Sequence, residues 1–240
     1  GTLAAVFAVL WRDIWNILRR IIQPLTGFLI IGTLPAVIAA LIFRDYITEM
    51  FASGASLGFA FLVTAGLLAV PEFFSRRAGT ASGRRRSAGA AGTPDTAGVK
   101  PAGKMKWPDA LVIGIFQAVA IIPGVSRSGA TLSAALFRKF DRDFAARFSF
   151  LLSIPAILGA LVLQLKEIAG PPGGAAAGSA AGTGAAPIIA GTLTAAAVGF
   201  FSVRFMLKIV RKHSLIVFAV YTAALGILVL IDTFGTHRFF

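Results

Sequence analysis

Five stretches of this chain are apolar for long enough to cross a bilayer, and that repetition limits its fold more than any other feature. Residues 24–43, 55–71, 148–165, 187–203 and 214–231 are each 17 to 20 residues long. A helix needs about 20 to cover the hydrocarbon core, with about 17 tolerated. Residues 1–10 are apolar but short, and read as the tail of a further span. The composition agrees: 57% of the 240 residues are hydrophobic and 14% charged, with a mean hydropathy of +0.82, whereas an ordinary soluble domain is ~25% charged. An all-α, polytopic membrane protein is predicted, with residues 1–240 forming one membrane domain. Pro35 and Pro155 fall inside spans, where neighbouring helices and water can satisfy the freed carbonyls, so they predict kinks rather than breaks.

The formal charge of +13 does not indicate nucleic-acid binding, because the basic residues form short clusters between apolar runs, where lysine and arginine report orientation in a bilayer. Residues 12–20 hold three basic residues and one acid, 72–106 eight and two, 138–147 four and two, and 204–212 four and none. By the positive-inside rule these four segments are cytoplasmic. Residues 44–49, with one basic residue and two acids, and 166–184, with one of each, are not. Two connections are low in complexity: a basic Gly/Ala/Arg-rich segment, 75–106, and an almost chargeless Gly/Ala-rich segment, 170–184. Both are expected to be flexible loops, since such compositions cannot bury a core, and neither is expected to carry chemistry. No cysteine occurs, which removes disulfides, thiolate metal sites and a cysteine nucleophile. The opening GTLAAVFAVLWRD has neither a basic leader nor a small-residue cleavage site, so no signal peptide is expected there.

Between the two basic segments 72–106 and 138–147 the chain must enter the membrane and return to the same side. Residues 109–122 and 128–137 are each too short to span at ~1.5 Å per residue, so two half-helices meeting at PGVSR form a re-entrant hairpin. Non-helical backbone at that depth requires burial by protein or a water-filled cavity. The tip is the most polar part of the passage IIPGVSRSGATLSAALF. Ser126, Arg127 and Ser128 precede a helix expected to begin near Gly129, whose free N–H groups and positive dipole end favour an anion. Gly124 and Gly129 allow close backbone approach, Arg127 offers a planar fork suited to phosphate oxygens, and the Thr131 hydroxyl can point the same way. An arginine at membrane depth costs roughly 2.5 to 3.5 kcal/mol on insertion scales and calls for a partner or a function. In isolation, the two serines would simply cap the helix while Arg127 snorkels or pairs with a carboxylate. The convergence of Pro-Gly, three hydroxyls and an arginine on a re-entrant tip favours the anion site.

The stretch PGVSRSGAT (residues 123–131), preceded by GIFQAVAII, resembles the P-G-x-S-R-S-x-x-T signature of bacterial undecaprenyl-diphosphate phosphatases, the bacitracin-resistance proteins. The resemblance extends to the opening LAAVFAVLWRDIW, to FRDYI and to SFLLSIPAILGA. It implies a multi-pass enzyme of the bacterial cell membrane that hydrolyses undecaprenyl diphosphate to the monophosphate and so recycles the lipid carrier of peptidoglycan synthesis. It also implies inverted repeats, each contributing a re-entrant helix pair, and a site reached from the extracytoplasmic side. Carried over to this motif, Arg127 would hold diphosphate oxygens, with Ser126, Ser128 and Thr131 supplying hydroxyl contacts. Gly124 and Gly129 would line the diphosphate, Pro123 would shape the helix break, and Gln117 would support the site by hydrogen bonding. The reaction class admits a divalent cation, Mg or Ca, although no carboxylate cluster in the sequence would hold it. Asp109, Asp141 and Asp143 read as residues of the membrane interface.

The family's first motif, two glutamates four residues apart followed by serine and histidine, has no counterpart, since no E-x-x-x-E occurs among the 240 residues. The expectation is therefore a chain truncated within its first repeat, lacking the nucleophile and the acid–base groups. His213 and His237 are not expected to be catalytic. From another functional class, a transporter or flippase of a lipid-linked anion would use the same broken helices without hydrolysis.

Overall fold

A computed structural model describes residues 1–19, 23–53, 56–83, 100–168 and 185–236. Ten helices account for most of this: α1 Thr2–Val9, α2 Trp11–Arg19, α3 Pro24–Ile42, α4 Arg44–Ser53, α5 Leu57–Gly83, α6 Trp107–Val119, α7 Arg127–Phe137, α8 Arg142–Ile168, α9 Ala185–Lys212 and α10 Ile216–Ile231. Among the described residues there is no strand, only an isolated bridge between Lys100 and Phe140. The chain is an all-α polytopic membrane protein.

Four helical stretches are long and apolar enough to cross a membrane: Pro24–Ile42, Arg142–Val162, Ala186–Arg211 and Ile216–Gly235. They correspond to four of the five expected spans. The fifth lies in α5, whose apolar part, Leu57–Phe73, is shorter, at the ~17-residue limit. Pro35 and Pro155 lie inside continuous helices. Helix α5 runs on to Gly83, into the first residues of the expected loop 75–106. Extending an existing helix needs no new nucleus, and alanine and arginine are good helix formers. The same loop ends in an ordered turn, Ala102–Lys104. Residues 84–99 and the predicted loop 170–184 lie outside the described residues.

Lipid supplies little hydrophobic drive for one apolar helix to join another, so close packing has to hold the bundle together. Small residues permit it at the main crossings. A Cβ on Gly114 of α6 would lie 2.5 Å from the carbonyl oxygen of Gly32 on α3. Where α5 meets α10, a Cβ on Gly226 would lie 2.9 Å from the carbonyl oxygen of Gly58. Outward-facing side chains are apolar, as in Ile188, Leu193, Phe201 and Phe205 of α9 and Val217 and Leu228 of α10. At one end of the bundle, α2 stacks Trp11 on Trp15, with the Arg19 guanidinium 5.0 Å from the Trp15 ring, a pairing typical of a membrane interface.

The centre belongs to α7. Packed against α5, α6 and α8, it is buried continuously from Gly129 to Ala135. Its 11 residues and the 13 of α6 are both too short to span at ~1.5 Å per residue. They pack side by side, joined by residues 120–126, and form the expected hairpin.

Candidate active site

The hairpin turns on a tight sequence-encoded bend. The Val125 N–H donates to the Ile122 carbonyl over 3.1 Å, closing a four-residue turn with Pro123 at its second position and Gly124, at φ +91°, at its third. This is the type II pattern: proline supplies the fixed φ and glycine the left-handed one. Gly124 also faces a tight wall, because a Cβ there would lie 2.9 Å from the Ala60 methyl.

Directly after the turn, α7 begins at Arg127, two residues earlier than expected from the sequence, with Ser126 as its cap. The start of a helix leaves four N–H groups without intrahelical acceptors, here those of residues 126 to 129. The Ser126 N–H donates to Thr64 Oγ1 on α5 over 3.1 Å. The Gly129 N–H donates to Ser126 Oγ over 3.1 Å. Among the described residues, the N–H groups of Arg127 and Ser128 have no acceptor. Ser126 Oγ and Ser128 Oγ are 3.5 Å apart, the latter side chain exposed and the former half-buried. The Arg127 side chain is also half-buried, and among the described residues it makes no ion pair or hydrogen bond. Two free amides and two hydroxyls thus stand at the dipole-positive end of the helix that Arg127 begins, where an anion is favoured.

Two predicted site residues sit elsewhere. Thr131 is fully buried. Its hydroxyl donates back to the Arg127 carbonyl over 2.9 Å and meets Ser149 Oγ of α8, so it braces the first turn of α7 from behind. Gln117 is 2% exposed, and neither end of its amide has a hydrogen-bond partner among the described residues. Gly129 is buried, and a Cβ there would press on Ser126 Oγ at 3.1 Å, so the cap needs a glycine three residues on. Thr64 and Ser149 were not identified from the sequence. Each is a lone hydroxyl in an apolar run, and nothing in its spacing points to the tip.

The opposite end of the hairpin, its mouth, is held by ion pairs. Asp109, with a side chain 1% exposed, pairs with Arg138 at 2.5 Å and Lys100 at 3.4 Å and accepts the Lys106 N–H at 3.1 Å. Burial pushes its carboxyl up, but the Lys106 N–H, Arg138 and Lys100 outweigh that and hold it below the usual carboxylate range. Nearby, Arg142 joins Glu72 at 2.6 Å and donates to the His213 carbonyl at 2.8 Å. Arg147 lies between Asp13 and Asp143, and Asp143 also meets Arg211. Asp141 caps α8 by accepting the Phe144 N–H at 2.8 Å. The three aspartates thus lie among basic residues at the predicted cytoplasmic edge. His213 is at this edge too, exposed, and His237 lies outside the described residues.

Contacts along α5 give the depth of the tip. Ala60 faces Gly124, Thr64 binds Ser126, Leu68 faces Gly129 and Glu72 pairs with Arg142. From Glu72 to Ala60 is about 18 Å at 1.5 Å per residue. The tip therefore lies well inside the bundle, about 12 to 18 Å along α5 from the basic mouth. Among the described residues no group of three His, Cys, Asp or Glu side chains is placed to hold a metal ion.

Comparison with known proteins points the same way. The family model for bacitracin resistance protein BacA matches residues 1–228. An undecaprenyl-diphosphatase 4 of Bacillus thuringiensis subsp. konkukian is 38% identical over 230 residues, covering 96% of this chain and 78% of the relative. An undecaprenyl-diphosphatase of Methanothermobacter thermautotrophicus is 41% identical over 201 residues, covering 84% of this chain and 96% of the relative. One from Carboxydothermus hydrogenoformans is 36% identical over 231 residues, covering 96% and 78%.

Proposed function

The chain belongs to the bacitracin resistance protein BacA family, and from that premise we propose that the tip between α6 and α7 binds the diphosphate of undecaprenyl diphosphate. The reaction is hydrolysis of the phosphoanhydride: water attacks the terminal phosphorus, the bond to the bridging oxygen breaks, and undecaprenyl phosphate and inorganic phosphate leave. The product returns as the lipid carrier of peptidoglycan synthesis. The names of the relatives are those of hydrolases, so the transporter or flippase reading is not the favoured one.

One observation carries the assignment to the tip: Arg127 is unpaired among the described residues, whereas the buried carboxylates Asp109 and Glu72 at the mouth both have cationic partners. Phosphoryl transfer depends mainly on positioning and charge stabilisation. Arg127 grips oxygens of the diphosphate with its planar fork, and the Arg127 and Ser128 N–H groups bind further oxygens. Ser126 Oγ accepts from Gly129 and shares a 3.5 Å hydrogen bond with Ser128 Oγ, which leaves one of the two hydroxyl protons to donate. Pro123 and Gly124 hold the bend open to the ligand, and Gly129 keeps the cap intact. Thr131 acts from behind by bracing the turn. Gln117 supports the hairpin by hydrogen bonding, its buried amide having both ends unpartnered among the described residues, as has the Ser133 hydroxyl of α7. The reaction class admits a Mg or Ca ion on the diphosphate, but the described residues offer no acidic cluster to hold one. The resemblance to the family favours an entrance from the extracytoplasmic side.

Phosphate release from undecaprenyl diphosphate by the full-length protein in detergent tests this reading. Release that depends on Arg127 supports it; binding or transbilayer movement of the lipid without release overturns it.

A further inference from the structure

Two hydroxyl residues outside the 123–131 stretch touch it from different helices. Thr64, 1% exposed on α5, donates to its own helix at the Ala60 carbonyl over 3.0 Å. That fixes the hydroxyl rotor and leaves a lone pair for the Ser126 N–H. Ser149, 4% exposed on α8, lies against the Thr131 hydroxyl and 3.4 Å from the Ser128 carbonyl. Thr64 therefore holds the residue before the first turn of α7, and Ser149 holds the turn itself.

We propose that Thr64 and Ser149 are positioning residues for diphosphate hydrolysis, holding the start of α7 so that the Arg127 and Ser128 N–H groups and the Arg127 side chain face one phosphoryl group. The inference rests on the reading of the tip as the diphosphate site. Neither hydroxyl needs to touch substrate. The role of Thr64 is selective: by taking the Ser126 N–H, while Ser126 takes that of Gly129, it determines which two of the four helix-start amides stay available. Without that acceptor, the Ser126 N–H would turn to water or to the ligand, and the cap would tilt with it. A grip from both α5 and α8 fixes the direction of the cradle better than capping within α7 alone.

The experiment is steady-state hydrolysis of undecaprenyl diphosphate by the full-length protein, comparing Thr64→Val, Thr64→Ser, Ser149→Ala and Arg127→Ala, with the unfolding temperature of each. Valine keeps the shape of threonine and removes the acceptor, whereas serine restores it. Thr64→Val is expected to lower kcat by about 10- to 100-fold with KM within about threefold, because misplacement by an ångström is felt in the transition state. Ser149→Ala is expected to lower kcat by about 3- to 10-fold, and Thr64→Ser to stay within about threefold of wild type. Wild-type kcat in Thr64→Val overturns the proposal, as does Thr64→Ser being equally impaired, which would assign the loss to the methyl group. A loss that follows the unfolding temperature overturns it too. Inactive Arg127→Ala beside normal Thr64→Val removes only the positioning role, whereas normal turnover in Arg127→Ala removes the diphosphate reading beneath it.

Discussion

At the mouth of the α6–α7 hairpin the buried carboxylate of Asp109 meets both Arg138 and Lys100, whereas at the tip, Arg127 meets no anion among the described residues. Both ends lie on the same two short helices, and both carry helix-start N–H groups. At the mouth, the chain supplies the compensating charge: Asp109, in the first turn of α6, takes the Lys106 N–H and draws in Arg138, just after α7, and Lys100, before α6. At the tip, two N–H groups and a guanidinium are left for something else. Buried charge is tolerated only when paired; the mouth meets that rule within the chain, and in the function proposed above the diphosphate meets it at the tip.

The sharpest way to break this contrast is to remove one charge from each end. Arg127→Ala should cut phosphate release by at least about 100-fold, the scale of losing a transition-state charge contact, with an unfolding temperature near that of wild type because no internal ion pair is lost. Near-normal turnover, or marked destabilisation, would make the tip a second structural clamp.

Gly114→Ala attacks the hairpin through its packing. The added methyl would meet the Gly32 backbone, so α6 must move away from α3, and a loss of about 1–3 kcal/mol in stability is expected. Unfolding in detergent, followed by helical signal, measures it. No change would mean that this crossing is looser than its geometry.

Asp109→Asn should cost about 1–3 kcal/mol, with turnover per folded molecule little changed; Arg138 and Lys100 both keep about a third of their surface in water and can be solvated when released. The pH dependence has a definite sign. Because the folded carboxyl titrates below its ordinary value, its contribution is fully present above about pH 5 and fades as pH falls through the folded value. Wild type and Asp109→Asn should therefore differ at neutral pH and converge in acid. A difference that grew on acidification would reverse the assignment.

The smallest effect concerns Lys139, which follows α7 at φ +66°. The next N–H, that of Phe140, reaches back to the Ala135 carbonyl over 3.1 Å, a helix ending that usually places glycine at the left-handed position. Lys139→Gly should therefore raise stability by ~0.5 kcal/mol. A fall would show that the lysine side chain contributes more at the mouth than its backbone strain costs.

Much of this architecture is legible in the sequence because lipid imposes simple rules. Apolar length marks a span, basic segments mark the cytoplasmic side, and two apolar pieces too short to cross between two basic loops must turn back. The bend was readable as well, since Pro123-Gly124 matches a type II turn residue for residue. Thr131 was harder to place. Its position on the first turn puts it near Ser126 and Arg127, but which way its hydroxyl points depends on α8, whose Ser149 lies 18 residues away. Helix α5 continues to Gly83, into the segment 75–106, because Gly/Ala/Arg composition does not reveal a helix already propagating from an apolar span.

Sequence alone determined that the chain is a bundle of membrane helices, that residues 109–137 form a hairpin, and that Pro123, Gly124, Ser126, Arg127 and Ser128 lie at its tip. Those properties depend on hydrophobic length, local charge and turn chemistry, all of which act over a few consecutive residues. Only the tertiary structure decided which charges are satisfied. Asp109 finds Arg138 across 29 residues, Glu72 finds Arg142 across 70 and Thr64 finds Ser126 across 62, whereas Arg127 finds none among the described residues. Whether a charge is paired depends on what the fold brings within ~4 Å of it, and neighbours along the chain cannot report that.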